Sequence, residues 1–277
     1  MLGAIIGDIV GSRFAFVEDD NRSKNFALFT SNCRPTDDSF MTLAVAKALL
    51  LSKGDKEKLK SIVVDCMKDV AHNHPNTGWG ERFYKWLFVE CYPKPYNSYG
   101  NGAGMRISPI GWVANSEDEV RILSKIVTEV SHNHPEGIKG AEAIAMAVYL
   151  ARIGKSKNEI RGRMQEYYPE LNDKDFTIKN IHGKYGYDEF GNWVTCQGSI
   201  PQALIAFFDS ESFEDAIRNA VCIGGDSDTI GAMTGGIAEA YYGVSYDMED
   251  KALSYLTDDL ISTYYAFDTI KKKRVKR

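Results

Sequence analysis

The segment GGDSDTIGAMTGGIAEAYYG, residues 224–243, places two aspartates directly before an apolar run with helical periodicity. Asp226 and Asp228 are two positions apart, so a regular helix would turn them to different sides. They can converge only if the chain before the helix is irregular, and Gly224 and Gly225 permit such a backbone. The segment therefore predicts an irregular turn that carries two acids into a helix.

A second stretch, RPTDDSFMTLAVAKALL at residues 34–50, also sets a threonine and two aspartates at the head of an apolar helix. Either motif alone fits a helix N-cap, because Asp, Ser and Thr oxygens accept free N–H groups of a first turn. If the two helix starts meet, the four carboxylates would repel one another unless divalent cations neutralise them. Oxygen ligands without His or Cys favour Mg²⁺ or Mn²⁺ over zinc, and the set suffices for two ions. The predicted metal-binding residues are Thr36, Asp37, Asp38, Asp226, Asp228 and Thr229.

Glycines at a spacing of four residues support this meeting. Gly3, Gly7 and Gly11 recur in the first apolar run, and Gly231 and Gly235 recur after the second acidic motif. A glycine inside a helix costs about 1 kcal/mol relative to alanine, so a repeated stripe indicates that another backbone comes close. We therefore expect tight helix packing beside the acidic cluster.

Most of the remaining chain has the periodicity of amphipathic helices. SEDEVRILSKIVTEVSH and SFEDAIRNAVCIGG predict helices with Ser116 and Ser212 as N-caps in capping boxes. The best strand candidate is a short hairpin in KYGYDEFGNWVTC. Because no linker or composition break divides the chain, we expect one all-α domain of roughly ten helices. This domain covers residues 1–269, and a basic tail at residues 270–277 is expected to be solvated and frayed.

The composition is that of an ordinary globular protein, with 44% hydrophobic residues, 26% charged residues and a net charge of -5. The negative charge provides no broad basic field for nucleic acid. The five cysteines are scattered and form no C-x-x-C pair, which argues against a disulfide framework or a zinc cluster and for a reducing compartment. With neither a long apolar run nor a signal peptide, the sequence predicts a cytoplasmic protein without a membrane partner.

Five motifs, GAIIGDIVGS, PTDDS, SYGNGAGMR, SHNHPEGIKGAEA and GGDSDTIGAMTGGIAEAYYG, follow one another between residues 3 and 243. In this order they resemble the ADP-ribosylglycohydrolase family, which includes the dinitrogenase-reductase-activating glycohydrolases. The resemblance implies an all-α, compact single-domain orthogonal helical bundle with two Mg²⁺ or Mn²⁺ ions in a cleft. It also implies cleavage of ADP-ribose from a modified side chain or a small conjugate.

The resemblance assigns further residues to an ADP-ribose site. His132 matches a histidine that lines this site, and a glycine-rich segment matches the loop that holds the diphosphate and ribose. Backbone N–H groups in such a loop can approach phosphate, although the glycines alone also fit an ordinary turn. Three alternatives remain: a His-x-His metal pair formed with His134, a core position for Tyr99, and use of the other HNHP copy at residues 72–75. The loop residues are Ser98, Tyr99, Gly100, Asn101 and Gly102.

One position departs from the family pattern. The first motif usually continues as G-D-x-x-G-x-x-x-E-F, whereas this chain has GDIVGSRFAF and places Ala15 where the glutamate is expected. In the family, that glutamate lies beside the metals and is implicated in catalysis or gating. The chain is then a natural variant that relies on its aspartates, a binder without activity, or an engineered inactive form. Glu18 is close in sequence but falls in VEDDNRSK, which has the composition of an exposed loop.

These assignments predict hydrolysis at the anomeric carbon of ribose, through an oxocarbenium-like state. Asp38 and Asp228 are the leading candidates for the carboxylate that accepts the proton of water. Turnover is expected to be slow because Ala15 replaces the glutamate. A two-metal phosphohydrolase and a non-catalytic ADP-ribose sensor are the alternatives. We expect a monomer whose partner is ADP-ribose, an ADP-ribosylated protein or an ADP-ribosylated small molecule.

Overall fold

The computed structural model describes residues 1–17, 23–181 and 192–275, and these residues form helices without a β-strand. The prediction of an all-α fold is therefore confirmed. The α-helices of the described residues are α1 (Leu2–Gly11), α2 (Asp37–Ser52), α3 (Lys56–Asn73), α4 (Glu81–Tyr84), α5 (Gly102–Met105), α6 (Ser108–Val113), α7 (Glu117–Thr128), α8 (Pro135–Arg152), α9 (Lys157–Met164), α10 (Ile178–Ile181), α11 (Cys196–Phe208), α12 (Phe213–Ile223), α13 (Ser227–Tyr242), α14 (Tyr246–Leu253) and α15 (Asp258–Val275). A π-helical turn at Lys85–Val89 continues α4, and 3₁₀ turns cover Pro169–Asn172 and Asn192–Val194.

Helices α1 and α13 form the centre of the molecule. Every residue of α1 is buried, and α13 is buried from Ser227 to Glu239. A helix that is apolar on all sides is stable only when other helices surround it. Helices α2, α12 and α14 pack around α1, while α8, α11 and α12 pack around α13. Both acidic motifs are thereby attached to the rigid centre of the fold.

The glycine stripes of α1 and α13 touch backbone to backbone. Gly3 faces Gly235, Gly7 faces Gly231, and the two helices run antiparallel. A Cβ atom on Gly7 would overlap the carbonyl oxygen of Gly231 and lie 2.8 Å from the nitrogen of Ala232. The predicted close approach of two helices is confirmed. It places the C-terminal end of α1, at Gly11, beside the start of α13, at Ser227.

We expect the substitution Gly7→Ala to destabilise the fold strongly. The added methyl group meets main-chain atoms of α13, which cannot move aside as a flexible side chain would. Overpacking of this kind costs about 1–3 kcal/mol and sometimes more. Urea denaturation followed by circular dichroism should show a lower midpoint with an unchanged slope.

Gly162→Ala is the matched control. Gly162 lies within α9, and a Cβ atom there would meet no described atom within 4 Å. Because alanine is the better helix former by up to about 1 kcal/mol, this variant should be at least as stable as the original chain. Equal unfolding midpoints for Gly7→Ala and the original chain would contradict the close packing of α1 and α13.

The two predicted capping boxes are half correct. The hydroxyl oxygens of Ser116 and Ser212 accept the expected N–H groups three residues on, from Glu119 and Asp215, each at 3.1 Å. The return bonds go elsewhere, because Glu119 accepts the N–H of Asn115, the residue before the cap. Asp215 likewise accepts the N–H of Glu211 at 3.0 Å, so both carboxylates stand at the correct third position but bond the residue before the cap instead of the cap itself.

Two further expectations concern the last hundred residues. The hairpin in KYGYDEFGNWVTC falls mostly outside the described residues, and its described end forms a 3₁₀ turn and a single bridge between Gly100 and Thr195. The expectation of a frayed tail from residue 270 is wrong for residues 270–275, because α15 continues to Val275. Lys271 is held there, since its ammonium lies 2.5 Å from Glu239 and 3.7 Å from Asp268. The division at residue 269 remains a prediction about domain organisation.

Candidate active site

A cavity of about 600 Å³ opens where the starts of α2 and α13 meet the end of α1 and the loop before α5. It is large enough for a nucleotide-sized ligand, since ligand pockets commonly measure about 300–1,000 Å³. Its lining includes all six predicted metal-binding residues, the position of Ala15, and most of the predicted ADP-ribose residues. The predicted site residues in the lining are Ala15, Thr36, Asp37, Asp38, Ser98, Gly100, Asn101, Gly102, His132, Asp226, Asp228 and Thr229.

Three buried aspartates cluster beside this cavity: Asp38 and Asp228 line it, and Asp8 lies next to them. Asp8, Asp38 and Asp228 each offer a carboxylate oxygen within 4.8 Å of the other two. Asp38 Oδ1 is buried and, among the described residues, has no hydrogen-bond partner. An unpaired buried carboxylate oxygen is costly unless a ligand or ion satisfies it. The arrangement can therefore hold a metal ion.

The structure excludes the simple capping role for both acidic motifs. Within the described residues, neither the Thr36 nor the Asp226 side chain accepts a backbone N–H from the first turn of its own helix. Thr36 Oγ1 instead lies 2.6 Å from Asp8 Oδ1 and 3.2 Å from Asp38 Oδ2, and Thr229 Oγ1 donates to the same Asp38 oxygen at 3.3 Å. These polar groups bind one another across the two helix starts.

The backbone before α13 explains how its two acids converge. Gly224 and Gly225 have φ values of 91° and 65°, a region that side chains with a Cβ atom rarely adopt. The turn brings Asp226 to the cavity, where its Oδ2 accepts a bond of 2.6 Å from Asn101 Nδ2. Asn101 therefore links the glycine-rich loop to the acidic centre. Such a bond is expected if the loop and the acids belong to one site.

Asp8 holds the start of α2 in place. It accepts bonds from the Thr36 N–H at 2.9 Å and the Ser39 N–H at 3.1 Å, and also from the hydroxyl of Ser39. Sequence reasoning missed this residue, because a single aspartate in an apolar helix carried no second acid beside it. The sequence offered one indication of its importance: Asp8 directly follows Gly7, which belongs to the glycine stripe that contacts α13.

Burial and mutual repulsion raise the pKa values of these carboxyl groups. Burial raises the pKa of Asp8 to about 7, and the charge of Asp228 adds to this effect. Burial first, and then the charge of a neighbouring aspartate, hold the pKa values of Asp37, Asp38 and Asp226 well above the usual 3.8; that neighbour is Asp8 for Asp38 and Asp228 for the other two. The group cannot ionise fully at neutral pH without a cation, which is the electrostatic condition expected of a metal site.

This repulsion predicts an unusual pH dependence of stability in the metal-free protein. Between pH 3.8 and about 7, the folded chain keeps protons on carboxyl groups that the unfolded chain has lost. Since the folded state binds more protons, the free energy of unfolding should fall as the pH rises through this window. Each pKa unit corresponds to about 1.4 kcal/mol, so the fall amounts to a few kcal/mol. Urea denaturation in chelator at a series of pH values measures it.

Other groups change this profile in known directions. Burial lowers the pKa of His132 well below 6.5. Below pH 6.5 this residue therefore makes the free energy of unfolding rise with pH, opposite to the effect of the aspartates. Lys271 and the chain's amino group lower the pKa of Glu239 to about 2, so its stabilising effect is lost only below about pH 4.5. Saturating Mn²⁺ should flatten the slope, because a cation keeps the carboxylates ionised. Stability that rises from pH 4 to pH 7 in chelator would contradict the acidic cluster.

The glycine loop and His132 lie together on another wall of the cavity. His132 is buried, and Cβ atoms built on Gly102 and Gly100 would lie 3.3 and 3.6 Å from its Nε2 atom. Glycine at these positions therefore leaves room between the loop and the ring. The other HNHP copy differs, because His72 is exposed and packs against Phe88 with ring centroids 5.0 Å apart.

One predicted ligand residue, Tyr99, and one alternative, the His132–His134 metal pair, gain no support from their positions. Tyr99 is 45% exposed and is absent from the described lining of the cavity, and its ring packs against that of His134 with centroids 5.1 Å apart. His134 accepts the Glu136 N–H with Nδ1 and, unlike His132, is not among the described residues that line the cavity. A ligand role for Tyr99 remains a prediction.

Ala15 follows the end of α1 and lines the cavity. Its position is fixed on both sides: its own N–H donates to Gly11 O at 3.1 Å, and the next N–H, from Phe16, donates to Gly225 O at 2.8 Å. Phe16 adopts a φ of 58°, which few non-glycine residues do. A longer side chain at residue 15 would therefore start from a fixed point at the cavity edge. Glu18 lies outside the described residues.

The fold and the site together define an all-α protein with a buried carboxylate centre in a nucleotide-sized cavity. A profile of the ADP-ribosylglycohydrolase family matches residues 1–265, which is nearly the whole chain. The chain belongs to the ADP-ribosylglycohydrolase family, as its motifs predicted.

Relatives and a solved structure agree with this assignment. The chain is 26% identical to ADP-ribosylhydrolase ARH3 of Homo sapiens, over 88% of this chain and 84% of the relative. It is 25% identical to the uncharacterised protein YegU of Escherichia coli, over 81% of this chain and 76% of that protein. A solved structure titled "ADP-ribosylglycohydrolase-related protein complex" superposes with a TM-score of 0.69 at 21% identity, covering 98% of this chain and 97% of its own. This likeness shows a shared fold.

Among the described residues, no helix combines the length and the apolar character needed to cross a bilayer. All five cysteines lie within the described ranges, and none of them forms a disulfide bond there.

Proposed function

We propose that the protein is a metal-dependent hydrolase that releases ADP-ribose from a modified acceptor by cleaving the N- or O-glycosidic bond at the ribose anomeric carbon. The observation that carries this proposal is the joining of two groups of residues in one cavity. The acidic centre of Asp8, Asp38 and Asp228 is tied to the glycine loop through the bond between Asn101 and Asp226. Membership in the family and the names of the relatives support the substrate class.

The side chains present fit a divalent cation. The donors are carboxylate and hydroxyl oxygens, which suit Mg²⁺ or Mn²⁺, and Asp38 Oδ1 has no partner among the described residues. A bound ion would supply positive charge for water activation and for orienting ribose hydroxyl groups. We propose two ions, held by Thr36, Asp37, Asp38, Asp226, Asp228 and Thr229, with Asp8 positioning Thr36 and Ser39 from behind.

The proton of the attacking water needs an acceptor close to the ribose. Asp38 is the best candidate, because its Oδ1 is unpaired among the described residues, while its Oδ2 receives a bond from the Thr229 hydroxyl and lies 3.2 Å from that of Thr36. Asp228 is the second candidate, since it faces Asp38 across the cluster. In the reaction the water oxygen bonds to the anomeric carbon, the glycosidic bond breaks, and the proton passes by way of the carboxylate to the leaving group.

Incubation with a panel of acceptors tests the proposal. The panel should contain arginine-linked, serine-linked and small-molecule ADP-ribose conjugates, each with Mg²⁺, with Mn²⁺ and with chelator. Free ADP-ribose from at least one conjugate, and only with a divalent ion, is the expected product. Release of AMP or inorganic phosphate would favour a phosphohydrolase, and tight ADP-ribose binding without release from any conjugate would favour a sensor.

We also propose that the protein acts as a monomer in the cytoplasm. Five cysteines without a disulfide bond among the described residues fit a reducing compartment. Light scattering on the purified chain measures the oligomeric state.

A further inference from the structure

Arg106 is the most deeply buried charged side chain in the wall of the cavity, and two neutral residues receive its hydrogen bonds. It is 0% exposed and follows α5, the helix that begins in the glycine loop. Its Nη2 atom donates to Ser131 Oγ at 2.7 Å and lies 3.2 Å from His132 Nδ1. Burial lowers the pKa of Arg106 to about 10, so the guanidinium still carries its charge at neutral pH.

These contacts decide which ring nitrogen of His132 carries the hydrogen. A guanidinium can only donate hydrogen bonds, so the Nδ1 atom that faces Arg106 must accept. Ser131 acts in the same direction: its hydroxyl receives a bond from Arg106 and lies 2.9 Å from Nδ1, to which it donates its own hydrogen. With Nδ1 unprotonated, a neutral ring carries its hydrogen on Nε2.

The surroundings of the ring also oppose a second proton. The charged groups that the described residues bring against His132 are the guanidiniums of Arg106 and Arg82, and its ring neighbours are Phe83 and Tyr96, with centroids 6.3 and 5.9 Å away. Burial first, and then the two cations, hold the pKa of His132 well below 6.5. The Nε2 edge faces the glycine loop, as the distances to Gly100 and Gly102 showed.

We infer that Arg106 and Ser131 are positioning residues that hold His132 as a neutral Nε2–H donor pointing at a ligand oxygen above the glycine loop. This inference rests on the proposed function for the identity of the ligand, ADP-ribose, and on the structure alone for the tautomer. His132 then binds the ligand without transferring a proton. Its Nε2–H also prevents that nitrogen from coordinating a metal ion.

Nitrogen NMR on the full chain tests the tautomer without any ligand. Long-range ¹H–¹⁵N correlations should show an unprotonated Nδ1 and a protonated Nε2 for His132, unchanged between about pH 5 and pH 8. The spectrum of His132→Gln identifies the signals by their loss. A protonated Nδ1, or a ring that titrates in this range, overturns the inference.

Arg106→Lys and Arg106→Met separate positioning from filling of the core. Lysine keeps a charged donor and should retain the Nε2–H form, whereas methionine removes the donor and should give a mixture of tautomers. Identical His132 spectra in the original chain and in Arg106→Met would overturn the role of Arg106. Because a change at a buried arginine can impair folding, Ser131→Ala provides a milder second variant, and it should shift the tautomer balance in the same direction.

Amide substitutions of His132 test the donor with ADP-ribose as the probe. Glutamine reaches the level of Nε2 and can donate there, so His132→Gln should bind within a few-fold of the original affinity. Asparagine ends at the level of Nδ1, so His132→Asn should bind about tenfold more weakly, the usual cost of one neutral hydrogen bond. His72→Gln, in the exposed HNHP copy, is the matched control and should bind normally.

Equal ADP-ribose affinities for the glutamine and asparagine variants would overturn the donor role of His132. Failure of the original chain to bind ADP-ribose would instead refute the proposed function. The NMR result would then decide the positioning role by itself.

Discussion

Asp38→Asn is expected to lower ADP-ribose release by about 10²–10⁴-fold or more, while making the metal-free protein more stable. The loss follows because the variant lacks a metal-binding oxygen and the proposed proton acceptor. The gain in stability follows because one of the mutually repelling buried carboxyl groups becomes neutral. Opposite effects on activity and on stability are expected of a residue kept for function rather than for folding.

Two measurements check this prediction together. Thermal unfolding in chelator should show a higher midpoint for Asp38→Asn, and addition of Mn²⁺ should raise the midpoint of the original chain but not of the variant. Asp250→Asn, which removes an exposed carboxylate from α14, is the control and should change neither property. If Asp38→Asn both lost stability in chelator and still gained it from Mn²⁺, the acidic cluster would not be the metal site.

Ala15→Glu is expected to raise the rate of ADP-ribose release by at least about 100-fold, the lower end of the effect of one positioned acid or base. Residue 15 lines the cavity, and the bonds of residues 15 and 16 to Gly11 and Gly225 fix its backbone beside the turn that carries Asp226. A glutamate there would enter the cavity from a held position. ADP-ribose affinity should change little, because none of the proposed binding residues is altered.

The neutral variant Ala15→Gln separates charge from size. It should leave the rate close to that of the original chain, since glutamine fills the same space without a carboxylate. If the original chain turned over rapidly and Ala15→Glu had no effect, catalysis would depend on Asp38 or Asp228 alone. If both forms bound ADP-ribose and released nothing from any conjugate, the chain would be a sensor.

The meeting of the two acidic motifs was predictable from the sequence because two independent patterns pointed to it. The motifs around Asp38 and Asp228 have the same composition, and a stripe of glycines indicated which helices touch. A four-residue spacing of glycine has few explanations other than a close backbone, and the packing of Gly7 on Gly231 confirmed it. Patterns that repeat with a helical period translate directly into contacts.

Residues that act through unique three-dimensional contacts were not predictable. Asp8 became visible only when α1 was placed against the start of α2, because its acceptor role depends on the N–H groups of Thr36 and Ser39. Arg106 lies in a quoted motif, but its partner His132 is far along the chain and nothing in the sequence joins them. The orientation of Tyr99 likewise depends on the neighbouring turn and on α8.

The backbone contact between α1 and α13 also has a consequence for the order in which the chain folds. The N–H of Gly3 bonds to Glu239, 236 positions away, so the centre of the molecule joins segments from opposite ends of the chain. Closing so long a loop costs little more in equilibrium entropy than closing a shorter one, but contacts of high sequence separation slow folding. During synthesis, the cluster of Asp8, Asp38 and Asp228 therefore cannot form until α13 has left the ribosome. The repulsion among these acids arises only at that late step, and a nascent chain has no complete cavity before it.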